Sequence, residues 1–192
     1  MIKNIIFDIG GVIAIEAGAK ALTHLSEEGQ KELGDILFFE SEGFSKLLLG
    51  EITVEEYKKQ QISRHPQYEK EIEMLFEKDE QALSYPLDQE VVDYIYSLKN
   101  RYKIYFLSNM ISTSYDYLKD ILNDFDGGAY SFEEHLKKPD LRFYQLLIDR
   151  YNLDVSETIF FDDKLRNVEA ARKLGMRAEV FKDKNSVIEA IG

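Results

Sequence analysis

The chain contains no cysteine. Disulfides, thiolate nucleophiles and cysteine-ligated zinc or iron–sulfur centres are therefore excluded. No apolar run approaches the roughly 20 residues that a membrane-spanning helix needs. The opening Met1-Ile2-Lys3-Asn4-Ile5-Ile6-Phe7 is too short for a signal peptide and is closed by Asp8. The cytoplasm is the expected compartment. Positive charge is also scarce: 24 Lys and Arg stand against 36 Asp and Glu, a formal balance of −12. Nucleic-acid affinity rests on neutralising phosphates with cations, and anionic membranes make the same demand, so neither partner is expected. An acidic chain that handles anionic substrates must gather a few cations locally or borrow a metal. Only three prolines occur (Pro66, Pro86 and Pro139), and each marks a break in pattern. Repeats and low-complexity segments are missing too.

What is present is ordinary globular material. The 192 residues are 44% apolar and 31% charged, enough for one domain or one domain with a modest insertion. Ile5-Ile6-Phe7 is an unalternated apolar run, the pattern of a strand buried on both faces of a parallel sheet. Residues 103–107, 158–161 and 178–181 read as three further strands. Between them, 88–99, 141–151 and 167–174 carry helical apolar spacing, Gly175 stops the last of these, and a short helix closes the chain. Strands alternating with helices imply a right-handed parallel α/β sheet. Residues 16–84 differ in character. They are rich in Glu, Lys and Gln, space Leu33, Ile36 and Leu37 helically, and start a helix at Thr53 with Glu56 as its capping-box partner. They read as a helical insertion into an α/β core made of 1–15 and 85–192.

Three strands end in functional groups: Asp8, Ser108 and Asp162-Asp163. Ligands of open α/β sheets bind at those carboxyl ends. Converging carboxylates repel one another unless a cation lies between them, and an oxygen-only donor set suits Mg²⁺ better than zinc. Ser108 offers a hydroxyl for an anion. Lys138, held by Pro139, adds a fixed positive charge. A carboxylate nucleophile, magnesium, a hydroxyl and a lysine together describe phosphoryl transfer through an aspartyl-phosphate.

Four segments carry a resemblance. Phe7-Asp8-Ile9-Gly10-Gly11-Val12-Ile13, Phe106-Leu107-Ser108-Asn109, Lys138-Pro139-Asp140, and Phe161-Asp162-Asp163 followed by Asn167-Val168-Glu169-Ala170-Ala171 resemble, in order, the motifs of the haloacid dehalogenase superfamily. The Asp-x-Gly-Gly-Val form of the first and the 137–144 run look most like its bacterial glucose-1-phosphatase branch. The resemblance implies a Rossmann-like parallel sheet core with a small inserted helical cap domain, and a Mg²⁺-dependent phosphatase acting on a small phosphorylated metabolite such as glucose 1-phosphate. Asp8 would be the nucleophile and, with the Gly10 carbonyl, Asp162 and Asp163, part of the metal's surroundings. Ser108, Asn109 and Lys138 would hold or support the phosphoryl group, and the cap at 16–84 would set substrate identity. A monomer or weak homodimer is expected.

One position departs from the pattern. Phosphatases of this superfamily mostly carry a second Asp two residues after the nucleophile, as general acid and base, and here that position is Gly10. A 2-haloacid dehalogenase, or an idle binding module of the same fold, are the competing functions. Against the functional readings stand plain ones. Asp8 would be a turn residue, Ser108 and Asp163 helix caps, and Lys138 solvated surface. His24, His65 and His135 are scattered, and Phe38-Phe39 with Phe44 are helix-packing material.

Overall fold

The computed structural model describes residues 1–39 and 42–192. Strands β1 (Asn4–Phe7), β2 (Lys103–Ser108), β3 (Gly127–Tyr130), β4 (Thr158–Asp162) and β5 (Arg177–Val180) form one sheet in the order β3-β2-β1-β4-β5. Every pairing is parallel. After β1 come α1 (Glu27–Gly34), α2 (Glu42–Leu48), α3 (Val54–Arg64), α4 (Glu69–Leu75) and α5 (Lys78–Ser84). The remaining helices are α6 (Gln89–Leu98), α7 (Ser112–Leu122), α8 (Ser131–Glu134), α9 (Leu141–Tyr151), α10 (Leu165–Lys173) and α11 (Lys184–Ile191).

The unalternated runs are explained by helices on both faces of the sheet. Ile5, Phe7 and Phe161 point to the side of Val91, Val92 and Ile95 on α6. Ile6 and Phe160 point to the side of Phe143 and Leu147 on α9. The apolar patterning predicts four strands, and the structure adds β3. Its Gly127-Gly128 start carries no strand signal, because glycine is depleted in strands. Close packing requires both glycines. A Cβ on Gly128 would lie 2.3 Å from the Phe106 ring, and one on Gly127 (φ +155°) 2.3 Å from the ring of Tyr151.

Phe7 is level with Phe106 on β2 and with Phe161 on β4, so Asp8, Ser108 and Asp162 all emerge at one end of the sheet. β1 is central. The chain lays β2 and β3 on one side of it and β4 and β5 on the other, which opens a crevice beyond the strand ends.

The helical segment leaves and returns along two adjacent stretches. The N–H groups of Ile15, Ala17 and Asp88 donate to the carbonyls of Pro86, Ser84 and Ile13, at 2.8, 2.9 and 2.9 Å. The segment has its own apolar cluster, with Leu33, Leu37, Tyr57 and Ile72 at its centre. The expected capping box forms: Glu56 N–H donates to Thr53 Oγ1 and Thr53 N–H to Glu56 Oε2. Phe38 meets Phe44 edge-on at 5.1 Å, as helix packing predicts, whereas the Phe39 side chain lies outside the described residues. Among the described residues, polar contacts tie the segment to the α/β part: Lys137 Nζ to Ser45 Oγ (2.6 Å), His135 Nδ1 with Leu49 O (2.7 Å), and Ser114 Oγ on α7 to Gln81 Oε1 (2.7 Å). No described helix is long and apolar enough to cross a membrane.

Candidate active site

Asp8 follows β1 directly, and its N–H donates to Phe161 O at 2.8 Å, which fixes Asp8 against β4. The turn that follows is tight: Ile13 and Ala14 N–H groups return to Ile9 O, and Gly11 N–H donates to Ala14 O. Gly11 has φ +75°, and a Cβ there would lie 2.7 Å from the Asp163 carboxylate. Glycine is needed on both counts, and its bareness lets the β4 loop close on the β1 loop.

Lys138 bridges the two buried carboxylates. Its Nζ lies 2.7 Å from Asp8 Oδ2 and 2.7 Å from Asp162 Oδ2, with the lysine side chain 1% exposed. The ammonium also stands 5.6 Å from the centre of the Phe160 ring. Asn109 holds the backbone of this lysine from both sides: its Nδ2 donates to Lys138 O (3.0 Å) and its Oδ1 accepts from Lys138 N–H (2.8 Å). Ser108, the last residue of β2, is buried beside it in sequence.

The two carboxylates compete for one ammonium, and they are not equal. Asp162 also accepts from Lys164 N–H at 2.8 Å and from Asn167 Nδ2 at 2.9 and 3.0 Å. Burial works to raise its pKa, but the charge and hydrogen bond of Lys138, with those further donors, outweigh it and hold Asp162 below the usual range. Asp8 is pushed up to about 7, first by burial and further by the charge of Asp162, against the opposing pull of Lys138. Asp163 is raised as well, chiefly by burial. One ammonium is thus insufficient for this set of acids.

A divalent cation fits the site on two observations. One oxygen from each of Asp8, Asp162 and Asp163 falls within 4.8 Å of the others, and Asp163 Oδ1 is buried without a hydrogen-bond partner. A hard cation with oxygen ligands would satisfy both.

Asp8, Lys138, Asp162 and Asp163 therefore converge, and Asn109 joins them through the lysine's backbone. Three plain readings fail. Lys138 is buried and is not solvated surface. Ser108 does not cap α7, whose N-cap is Ile111, and Asp163 does not cap α10, whose N-cap is Lys164. The carboxylate that serves the α10 entrance is Asp162. The sequence shows Asn167 as a helix start and as part of the fourth motif, but on its own assigns it no role. Its position five residues after Asp162 was the available signal, because one turn into the helix returns a side chain to the loop. Tyr144 fixes Asn167 in turn, donating from its hydroxyl to Asn167 O at 3.0 Å. The histidines stay apart from this centre: His24 pairs with Glu71, His65 ends α3, and His135 contacts Leu49 O.

With the geometry in place, comparison with known proteins gives the class. The haloacid dehalogenase-like hydrolase family model matches residues 2–175, and the chain belongs to that family. It is 29% identical over 199 residues to the D-ribitol-5-phosphate phosphatase of Bacteroides thetaiotaomicron, covering 96% of this chain and 93% of that one. It is 28% identical over 194 residues to drimenol cyclase drtB of Aspergillus calidoustus, covering 97% of this chain but only 35% of that protein. Another match, the sesquiterpene phosphatase astK of Aspergillus oryzae, is spanned over 39% of its length. Among solved structures, a HAD family enzyme of B. thetaiotaomicron in complex with magnesium and inorganic phosphate superposes with a TM-score of 0.76 at 20% identity, over 95% of each chain.

Proposed function

We propose that this protein is a Mg²⁺-dependent phosphatase of small phosphorylated metabolites that works through an aspartyl-phosphate on Asp8. The observation that carries this reading is the buried Asp8–Lys138–Asp162 cluster with Asp163 beside it. A buried ion pair is expensive in desolvation and poor evidence of stability, so three acids around one ammonium suit a site made for a further cation and an anion. Asp8, Asp162 and Asp163, with the Gly10 carbonyl, would hold Mg²⁺, which when bound neutralises the carboxylates and draws charge from the phosphoryl oxygens.

The chain's own residues supply the rest. An Asp8 oxygen attacks phosphorus, and Lys138 and Ser108 hold the phosphoryl oxygens as charge redistributes. Asn109 fixes Lys138 by its backbone, while Asn167 and Lys164 N–H keep Asp162 ionised and aimed. The helical segment 16–84 acts as a cap domain over the core 1–15 and 85–192, excluding water and choosing the substrate. A gathering of three carboxylates argues against a metal-free dehalogenase, which needs an Asp nucleophile but no cluster of acids around a cation.

The substrate class is a sugar or polyol phosphate. Glucose 1-phosphate is one candidate, from the motif resemblance, and ribitol 5-phosphate is another, from the relative that matches over nearly its whole length. Phosphate release from a panel containing both, with Mg²⁺ and with EDTA, tests the reading. Metal-dependent release supports it, and a folded protein silent across the panel in Mg²⁺ contradicts it.

A further inference from the structure

Cleaving a phosphate monoester of an alcohol leaves an oxygen that must take a proton, and hydrolysing the acyl phosphate then needs a water that gives one up. The nearest place for such a group, two residues after Asp8, holds Gly10, which has no side chain. The three histidines lie elsewhere: His24 pairs with Glu71, His65 follows α3, and His135 contacts Leu49 O. The space beside Gly10, however, holds an acid. A Cβ built on Gly10 would meet Glu16 Oε1 as its nearest neighbour, at 4.0 Å. A carboxylate from further along the chain thus stands within one side chain's reach of residue 10.

The backbone holds Glu16 in that place. Its neighbours Ile15 and Ala17 donate to Pro86 O and Ser84 O, so Glu16 sits on the paired connection between the sheet and the helical segment. Its side chain is 57% exposed and is oriented by Lys164, whose Nζ lies 3.6 Å from Glu16 Oε1 and 3.7 Å from Asp163 Oδ2. The ammonium thereby links Glu16 to the edge of the acidic cluster. Half exposure leaves the carboxylate free to meet a substrate oxygen entering the crevice.

We propose that Glu16 is the general acid and base of this enzyme, taking the place that Gly10 leaves empty. The assignment rests on the phosphatase reading above. In the first step an Asp8 oxygen bonds to phosphorus, the ester P–O bond breaks, and its electron pair goes to the leaving oxygen, which takes the proton of the Glu16 carboxyl. In the second step the Glu16 carboxylate takes a proton from water as the water oxygen bonds to phosphorus. The bond from phosphorus to Asp8 breaks, its electron pair returns to the Asp8 carboxylate, and inorganic phosphate leaves with Glu16 protonated again.

The test compares leaving groups. Glu16→Gln keeps the shape of a half-exposed side chain and removes its acid together with the charge that faces Lys164 at 3.6 Å. It should lower turnover of a sugar phosphate by roughly 10²–10⁴-fold. Nitrophenol release from p-nitrophenyl phosphate in the first turnover should stay within about threefold, because that leaving group needs no proton. Restoring an acid at the empty position should recover part of the sugar-phosphate rate, so Gly10→Asp is added to Glu16→Gln. Gly10 has no left-handed φ, and a Cβ there has its nearest contact at 4.0 Å. Equal slowing of both substrates by Glu16→Gln, or no slowing of either, overturns the assignment while leaving the phosphatase standing. A wild-type protein that releases phosphate from neither substrate in Mg²⁺ overturns the phosphatase reading and this assignment with it.

Discussion

The sheet's carboxyl end and the helical segment both bury charge, and they do it differently. At the strand ends a buried lysine meets buried acids: the side chains of Lys138, Asp8 and Asp162 are 1%, 8% and 0% exposed. In the helical segment a buried charge meets exposed partners. Lys58 is 6% exposed, but its partners Glu55 and Glu73 are 69% and 50% exposed, and the buried Glu71 pairs with the half-exposed His24. Water can relieve the second arrangement and cannot relieve the first. Lys58 is a buried side chain whose ammonium is met by carboxylates that reach solvent, a packing solution that any stable helix pair can use. The Lys138 cluster carries a desolvation cost that packing alone would not retain, so it marks where the fold serves chemistry.

The largest expected effect separates activity from stability. Asp8→Asn should lower turnover by roughly 10⁴-fold or more, as loss of a nucleophile does. Its thermal midpoint in metal-free buffer should hold or rise, since the variant removes one of two acids competing for Lys138. The sign follows from linkage. With a folded-state pKa of about 7 against 3.8 unfolded, Asp8 binds protons more in the folded state, so metal-free stability falls as pH rises between those values. A melting series over pH should show that slope in the wild type and a flatter one in Asp8→Asn.

Next come the two lysines, compared directly. Lys138→Ala should cost roughly 3–5 kcal/mol of stability, because it strands two buried carboxylates, and about 10²–10³-fold in turnover. Lys58→Ala, with exposed partners, should cost only about 1 kcal/mol, mostly through its stem. Chemical denaturation of both variants checks this, and equal costs would erase the contrast between the two regions. An effect smaller than that of Lys138→Ala is expected at the junction of the two regions. Gly50 has φ +65°, and a Cβ there would lie 2.0 Å from Phe132 O. Gly50→Ala should therefore cost about 1–3 kcal/mol and raise KM by shifting the helical segment against the loop that carries Lys137 and Lys138. The smallest is Thr53→Ala, which removes one helix cap at about 1 kcal/mol and should leave kcat unchanged in the same assay.

The same contrast explains what the sequence could reveal. β1, β2 and β4 were legible because helices on both faces make their central runs apolar, and Asp8, Ser108 and Asp162 fell at predictable strand ends. The edge strand β5 was legible from Ala178, Val180 and the following Phe181 despite Glu179. β3 was not legible, since Gly128 answers to Phe106 and Gly127 to Tyr151, which lie 22 and 24 positions away in the chain. The capping box at Thr53 was legible because it is local. Asn167 was present in the sequence without a role, because its role depends on Asp162 keeping its charge against Asp8. Glu16 was hidden for a stronger reason. It acquires meaning only when the connection at 15–17 pairs with 84–86 and brings its carboxylate beside Gly10. Local and periodic signals carried the frame, and contacts between distant segments carried the remainder of the site.

The central claim, that the phosphoryl group passes through Asp8, is tested most directly by trapping it. The wild-type protein is quenched in acid during steady-state turnover of a substrate found by the phosphate-release panel, digested, and examined by mass spectrometry. The account predicts the mass of one phosphoryl group on the peptide containing Asp8, lost on treatment with hydroxylamine and missing from Asp8→Asn. Rapid turnover by Asp8→Asn, or a stable phosphoryl group on another residue, would contradict it.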